Sequence, residues 1–393
     1  MGVSLKNKIC SVSVVALCSV VLLCTTGPIM QAFLASLGFD SRALYIHSTL
    51  VQAANVLTIF LCAGWADRGN IIRRSALILL PRAVLFLSFL PLCVHGSASL
   101  STFLAITTIC LLQSVCIALY TVCDYKLPYF IWTPEDFGPV SATSGIVAGL
   151  LSLVMGVVVT QLTFIMPYNR LMLYACIVSA GLIGLSAALI ALLRPLPGTV
   201  QPPLPKQRGI AQLSIFRQPV FYRMIPANLA RGFASGTTTV MAAVALDLGH
   251  SEGTVTALVT FQSIATLAGC GIFGVAVKRA APRWILLLGS LSFLVLPLML
   301  KGSATLFLVM YTVVILGRTF VDYAVPVILR FAVPVEIAGP YNAWRMLLHN
   351  GGTLLATTVA AFIPVEALLI LTVALQLYSG FCYFTDKEMH AAA

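Results

Sequence analysis

Long apolar runs alternate with short polar links along the whole chain. Cutting at the links gives twelve stretches, at residues 9–37, 43–65, 75–95, 99–131, 140–166, 169–193, 219–247, 252–277, 283–300, 303–332, 340–362 and 364–384. Each is long enough for a helix to cross a bilayer, which takes about 20 apolar residues. A membrane barrel instead shows alternating segments of about ten residues, so continuous runs predict an all-α polytopic membrane protein of twelve transmembrane helices. The longest break, Arg194 to Arg217, carries Pro195, Pro197, Pro202, Pro203 and Pro205 with Lys206 and Arg208. A proline-rich basic stretch of this kind reads as a non-helical linker. It divides the chain into a bundle at 1–193, a linker at 194–217 and a bundle at 218–393, six spans to each bundle.

Composition removes the soluble alternative. Of 393 residues, 60% are apolar and 9% are charged, against about a quarter charged in an ordinary soluble domain. The formal charge of +11 does not indicate nucleic acid, because the basic residues lie in the links, where they set topology. With the N-terminus inside, sixteen of the 23 Lys and Arg fall at inner ends, three (Arg42, Arg170, Lys301) fall outside, and four (Arg82, Arg231, Arg318, Arg345) lie within spans. Trp65, Trp132, Trp284 and Trp344 also fall at inner ends. Both termini are therefore expected in the cytoplasm. Lys6 and Lys8 before an apolar run resemble a signal peptide, but the run continues to about Leu37 without a small-residue cleavage site, so it is kept as the first span. Lys6 stands where a myristoylation signal needs Ser or Thr. The eleven cysteines are scattered singly with no C-x-x-C, as buried free thiols would be, and nothing calls for a metal or cofactor. The absence of Asn-x-Ser/Thr and the short loops suit a bacterial inner membrane.

Two short patterns carry more. The first is the link holding Gly64, Asp67, Arg68, Gly69, Arg73 and Arg74. The second is an internal repeat at offsets near 200 residues. Gly64, Arg68 and Arg73 align with Gly274, Lys278 and Arg283. Thr121, Asp124, Tyr125 and Pro128 align with Thr319, Asp322, Tyr323 and Pro326, and Glu135, Gly138 and Pro139 with Glu336, Gly339 and Pro340. Transporter folds are commonly built from such repeats.

The link resembles the loop between the second and third spans of the major facilitator superfamily, roughly G-x-x-x-D-R-x-G-R-[RK]. Here up to two extra residues, Ile71 and Ile72, precede the arginine pair. With the repeat, the resemblance covers nearly the whole chain. It implies two six-helix pseudo-repeat bundles, with the first and fourth spans of each lining a central path. It also implies a monomeric secondary transporter of a small solute working by alternating access. Gly64, Asp67, Arg68, Arg73 and Arg74 with Arg345 would form a conformational latch. Its second-half counterpart has Val277 in place of Asp67. If the latch idea holds, Asp67→Asn impairs flux and spares binding.

An ionisable group within a span costs about 2.5–3.5 kcal/mol on insertion scales, so each needs a reason. Asp124 is expected about two turns above the inner end of span 4, with Asp322 at the same place in span 10 and Arg318 one turn before it. Asn228, Arg231, Ser235 and Thr238 share one helical face in span 7. Arg345, His349 and Gly352 do likewise in span 11. Two roles stay open for these charges. They are gate and packing residues, the reading favoured for Asp124, Arg82 and Arg345, or they line a polar cavity for solute or proton. Tyr120, Asp124, Asn228, Arg231, Tyr311, Arg318, Asp322 and His349 are the cavity candidates. Arginines in excess of acids favour an anionic or zwitterionic solute. Proton coupling would run through Asp124, Asp322 or His349; facilitated diffusion is the uncoupled alternative. Gly145, Gly149 and Gly156 in span 5 suit close helix approach, without the proline of the family's drug-exporter motif. A multidrug or metabolite exporter and a non-transporting sensor remain as alternatives. There is no Walker-type phosphate loop, no H-E-x-x-H and no acid cluster, so neither an ATP-driven pump nor an intramembrane enzyme is expected.

Overall fold

The computed structural model describes residues 3–25, 28–62, 70–124, 127–133, 136–196, 217–277, 279–332 and 335–386, and among them there is no strand. The helices in the first part are α1 (Val3–Thr25), α2 (Pro28–Ser36), α3 (Ser41–Cys62), α4 (Ile71–Leu87), α5 (Leu90–His95), α6 (Leu100–Asp124), α7 (Leu127–Ile131), α8 (Phe137–Leu162) and α9 (Tyr168–Ala191). The second part holds α10 (Pro219–Tyr222), α11 (Ile225–Thr239), α12 (Met241–Asp247), α13 (Glu252–Ala276), α14 (Pro282–Leu291), a 3-10 stretch (Ser292–Lys301), α15 (Ala304–Ala332), α16 (Val335–Ala360) and α17 (Val365–Thr385). The chain separates into two compact units, Met1–Asp40 with Leu50–Lys206, and Ser41–Thr49 with Gln207–Ala393. The first turns of α3 thus group with the second unit.

In the first unit α4 packs on α6 and α9, and α1 packs on α8 and α9. Its core runs through Val14, Cys18, Leu79, Phe86, Cys123 and Ile183. In the second unit α11 packs on α16 and α17, α15 on α13 and α14, and α14 on α17. That core gathers Phe221, Leu286, Phe320, Ala324, Tyr341 and Tyr383. The outer faces are as apolar as the cores: Leu61, Leu100, Phe164 and Phe362 are each at least 70% exposed. Only lipid can cover such a surface, and helices with internally satisfied backbones are what lipid permits.

Ten helices or helix pairs among the described residues are long and apolar enough to cross a membrane. The two remaining expected spans differ for stated reasons. The run at 219–247 divides at Val240 into α11 and α12. Next to the break, the hydroxyls of Thr237, Thr238 and Thr239 donate back to the carbonyls of Phe233 (3.3 Å), Ser235 (2.7 Å) and Ser235 (3.1 Å), a competition that bends helices. The run at 340–362 falls on α16 up to its end at Ala360, and that helix is long enough but carries Glu336, Asn342, Arg345, His349 and Asn350. Elsewhere Pro297 sits in the 3-10 stretch that continues α14, as expected of a residue with no N–H to donate. Span 4 is described as α6 up to Asp124 and as α7 from Leu127, with residues 125 and 126 outside the described residues.

Candidate functional site

The centre of the second unit is the seam between α11 and α16, where backbone meets backbone. A Cβ on Gly232 would lie 2.0 Å from the His349 carbonyl oxygen, and one on Gly352 would lie 2.1 Å from that of Leu229. Small residues permit this approach, and Thr353 spans it by donating to the Gly232 carbonyl at 3.1 Å. The seam sets Arg231 and His349 side by side. Arg231 is 5% exposed, and its Nε and Nη1 have no hydrogen-bond partner among the described residues. His349 Nδ1 is likewise without a partner, and the imidazole lies in the electrostatic field of Arg231, Arg318 and Arg345 together. Tyr341, fully buried, presents an unpartnered hydroxyl within the field of Arg231 and Arg345. Buried polar atoms are normally satisfied. These unpartnered polar atoms lie in the field of a buried guanidinium, whose free N–H groups are chemically suited to an acceptor.

Around this centre other side chains are already engaged. Arg318 donates through Nε to Asp322 Oδ2 at 3.4 Å, one turn along α15, and through Nη1 to the Thr238 hydroxyl. The Asp322 side chain is 40% exposed, which leaves its carboxylate open to a further partner. The Tyr311 hydroxyl donates to Gln262 Oε1 at 3.0 Å, within the field of Arg318. Asn228 is fully buried; its Nδ2 donates to the Met224 carbonyl at 2.9 Å, and its Oδ1 accepts from Tyr383 at 2.9 Å. Asn228 thus holds α11 against α17 rather than presenting a free amide.

The first unit has a polar locus of its own. The Tyr120 hydroxyl donates to Asp124 Oδ1 at 3.2 Å, one turn apart on α6. Both line a crevice with Ser11, Val14, Leu127 and Leu193. Arg82, 2% exposed in α4, lies in electrostatic reach of Cys18, Cys116 and Tyr120. At the end of α1 that carries Lys8, Lys8 Nζ donates to Asp136 Oδ1 at 2.7 Å, and this bond holds the Asp136 carboxyl below its ordinary range. The Asn7 amide, fully buried, donates to the carbonyls of Ile131 (3.2 Å) and Arg194 (2.7 Å) and accepts from the Arg194 N–H at 3.1 Å.

Of the latch candidates, Gly64, Asp67 and Arg68 lie outside the described residues. Arg73 and Arg74 open α4, whose N-cap Asn70 accepts from the Arg73 N–H at 3.1 Å. Arg345 is 8% exposed within α16. The structure therefore gathers Arg231, Arg318, Asp322, Tyr311 and His349 in one unit and Tyr120 with Asp124 in the other. Gln262, Tyr341 and Tyr383 were not anticipated: a lone Gln or Tyr in an apolar run carries no periodic signal. Among the described residues no three or more His, Cys, Asp or Glu side chains are grouped as a metal site would require.

Neither a protein-family model nor a curated protein matches the chain. Solved structures do. A mutant form of the nucleoside transporter NupG superposes with a TM-score of 0.70 at 14% identity over 97% of this chain and 99% of that one. A bacterial homologue of the iron transporter ferroportin in an outward-facing state gives 0.70 at 12% identity over 98% of each. A bacterial homologue of the human lysosomal transporter Spinster gives 0.63 at 13% identity over 99% and 97%. The chain has the major facilitator fold.

Proposed function

We propose that the protein is a secondary transporter that carries a small organic solute bearing an anionic or zwitterionic group across the cytoplasmic membrane, with both termini inside. The observation that carries this is Arg231: a guanidinium buried within the second unit, two N–H groups unpartnered, beside an unpartnered His349 nitrogen and within reach of further arginines. A charge so placed calls for a counter-charge, and a solute carboxylate or similar oxyanion supplies it while bound. Asp322, part-exposed beside Arg318, is positioned to take the ammonium of a zwitterion. Where transport is coupled to protons, Asp124, Asp322 and His349 are the groups to carry them. The fold it shares with known transporters supports the same reading.

The test is a thermal-shift screen of organic acids, amino acids, sugars and cations on the full chain, followed by flux of the hits in proteoliposomes. Anionic or zwitterionic solutes are expected to bind, and Arg231→Gln to weaken them about 10²-fold, since a hydrogen bond to a charged group is worth about 1.5–3 kcal/mol. Cations bound as tightly as anions would overturn the charge argument. Binding without flux would instead identify a sensor on the same fold. Asp67→Asn separates the latch from the site: flux falls while binding stays.

A further inference from the structure

Arg74, Leu77, Ile78 and Pro81 recur at three- and four-residue spacing and so form one stripe along α4. Cys116 and Leu119 stand three residues apart on α6, which packs on α4. Together these six side chains line a groove of about 270 Å3 on the first unit. Arg74 is in electrostatic reach of Cys123, and Arg82 of Cys116, so the two helices run antiparallel along it. Leu119 accordingly lies toward the Arg74 end and Cys116 toward Pro81. Arg74 and Pro81 are about 10 Å apart along the axis at 1.5 Å per residue. Because Arg74 is in the first turn of α4, the groove runs from the start of the span into its apolar depth. The other arginine of this helix faces the opposite way: Arg82 is 2% exposed, its Nε and Nη2 have no partner among the described residues, and it does not line the groove.

The wall decides what can occupy the groove. An ordered water needs two to four polar partners, and beyond the guanidinium the wall is almost entirely apolar. Leu77 and Pro81 are exposed along it, and the exposed Leu80, Val84 and Leu112 continue the same apolar surface, which lipid covers. An acyl chain entering sideways from the bilayer matches the apolar length. A headgroup phosphate then meets Arg74, with Arg73 exposed at the next position. No carboxylate lines the groove. A zwitterionic headgroup would bring its ammonium against two guanidiniums, and like charges repel; a net-anionic headgroup meets only attraction.

We infer that the groove between α4 and α6 is a binding site for one anionic phospholipid, its acyl chain lying on Leu77, Ile78, Pro81, Cys116 and Leu119 and its phosphate against Arg74. The site stands apart from Arg231. Its test reads lipid binding rather than flux, so it holds whether or not Arg74 also serves the latch.

The full chain is placed in phosphatidylcholine nanodiscs that contain a small fraction of phosphatidylglycerol or of phosphatidylcholine carrying a diazirine on the acyl chain. Illumination and peptide-level mass spectrometry then locate the crosslinks. The phosphatidylglycerol probe is expected to label residues 77–81 and 116–119 about tenfold more than the phosphatidylcholine probe at equal mole fraction, as suits a charge-assisted contact. Unlabelled phosphatidylglycerol should displace it. Arg74→Gln should bring the two probes level. Cys116→Phe, which sets a ring in the deep end of the groove, should remove the label from both segments, with labelling at the exposed Ile272 and Val275 of α13 retained as the sign of an inserted chain. Equal labelling by the two probes in the wild type, or anionic label no denser here than at Ile272 and Val275, is ordinary bilayer contact and overturns the proposal without any variant. A preference for phosphatidylglycerol that survives Arg74→Gln overturns it too. So does a wild-type chain with neither segment labelled, the result that a second copy seated in the groove would give.

Discussion

The substitution Gly232→Ala tests the geometry on which the second unit's site depends. The added methyl would be placed 2.0 Å from the His349 carbonyl oxygen, 2.8 Å from its carbonyl carbon and 2.9 Å from its Cα. All three are backbone atoms, so no side chain can swing aside. Relief to an ordinary carbon–oxygen contact requires α11 and α16 to part by about 1 Å, against a densely packed interior. Overpacking of this kind costs about 1–3 kcal/mol, which for a unit of 150–250 residues corresponds to roughly 2–4 °C in Tm per kcal/mol. The displacement would also stretch the 3.1 Å bond from Thr353 to the Gly232 carbonyl and move His349 relative to Arg231. The assay is thermal unfolding of the purified chain with and without a bound anionic solute. Gly271→Ala is the control, because a Cβ there meets nothing within 4 Å. Gly232→Ala should lower Tm by several degrees and abolish the solute's stabilising shift, while Gly271→Ala should do neither. Equal Tm for the two variants, with the solute shift retained in both, would refute the claim that the seam sets the site.

Three further outcomes are expected. Lys8 holds the Asp136 carboxyl below its ordinary range, so the ionised carboxylate contributes stability that is fully present above the unfolded value of about 3.9 and is lost as pH falls through the lower folded value. The Tm difference between the wild type and Asp136→Asn should accordingly be constant from pH 5 to pH 8, by the same linkage, and shrink only below about pH 4; a difference that persists in strong acid would contradict this. Asn7→Ala removes three hydrogen bonds at once, one buried and two part-buried, and leaves carbonyls without donors, at about 1–3 kcal/mol per unsatisfied buried group; unfolding in denaturant measures it, and Asn7→Ala should fall well below Ser11→Ala. Tyr383→Phe withdraws the donor from Asn228 Oδ1 and should cost about 1 kcal/mol in the same unfolding measurement, with solute affinity changed little if Asn228 holds α11 against α17 rather than touching solute.

Apolar run length made the helices legible in the sequence, because lipid imposes one rule on every span. It misjudged the chain where polar side chains compete with the backbone. The run at 219–247 gave no sign that Thr237, Thr238 and Thr239 would turn their hydroxyls on their own helix. Charges within spans were readable as exceptions, and helical spacing placed Arg231 with Ser235 and Thr238 on one face. What spacing within one helix cannot supply is the partner on another. The engagement of Asn228 by Tyr383, the approach of Gly232 to His349 and the pairing of Tyr311 with Gln262 each join residues far apart in the chain. The identity of the orphaned donors was equally hidden, since Arg82 and Arg231 look alike in sequence until their neighbours are known.

The Asn7 amide also sets a clock. Its partners at Ile131 and Arg194 lie 124 and 187 residues later in the chain. At a synthesis rate of about 5–20 residues per second, Arg194 leaves the ribosome roughly 10–40 s after Asn7. Until Ile131 is made the amide has neither partner, and its two bonds with Arg194 wait out the whole interval. The first unit cannot close helix by helix as it is made; it waits for its sixth span, and a chain interrupted before Arg194 is marked by an unclosed end for the cell's quality control to find.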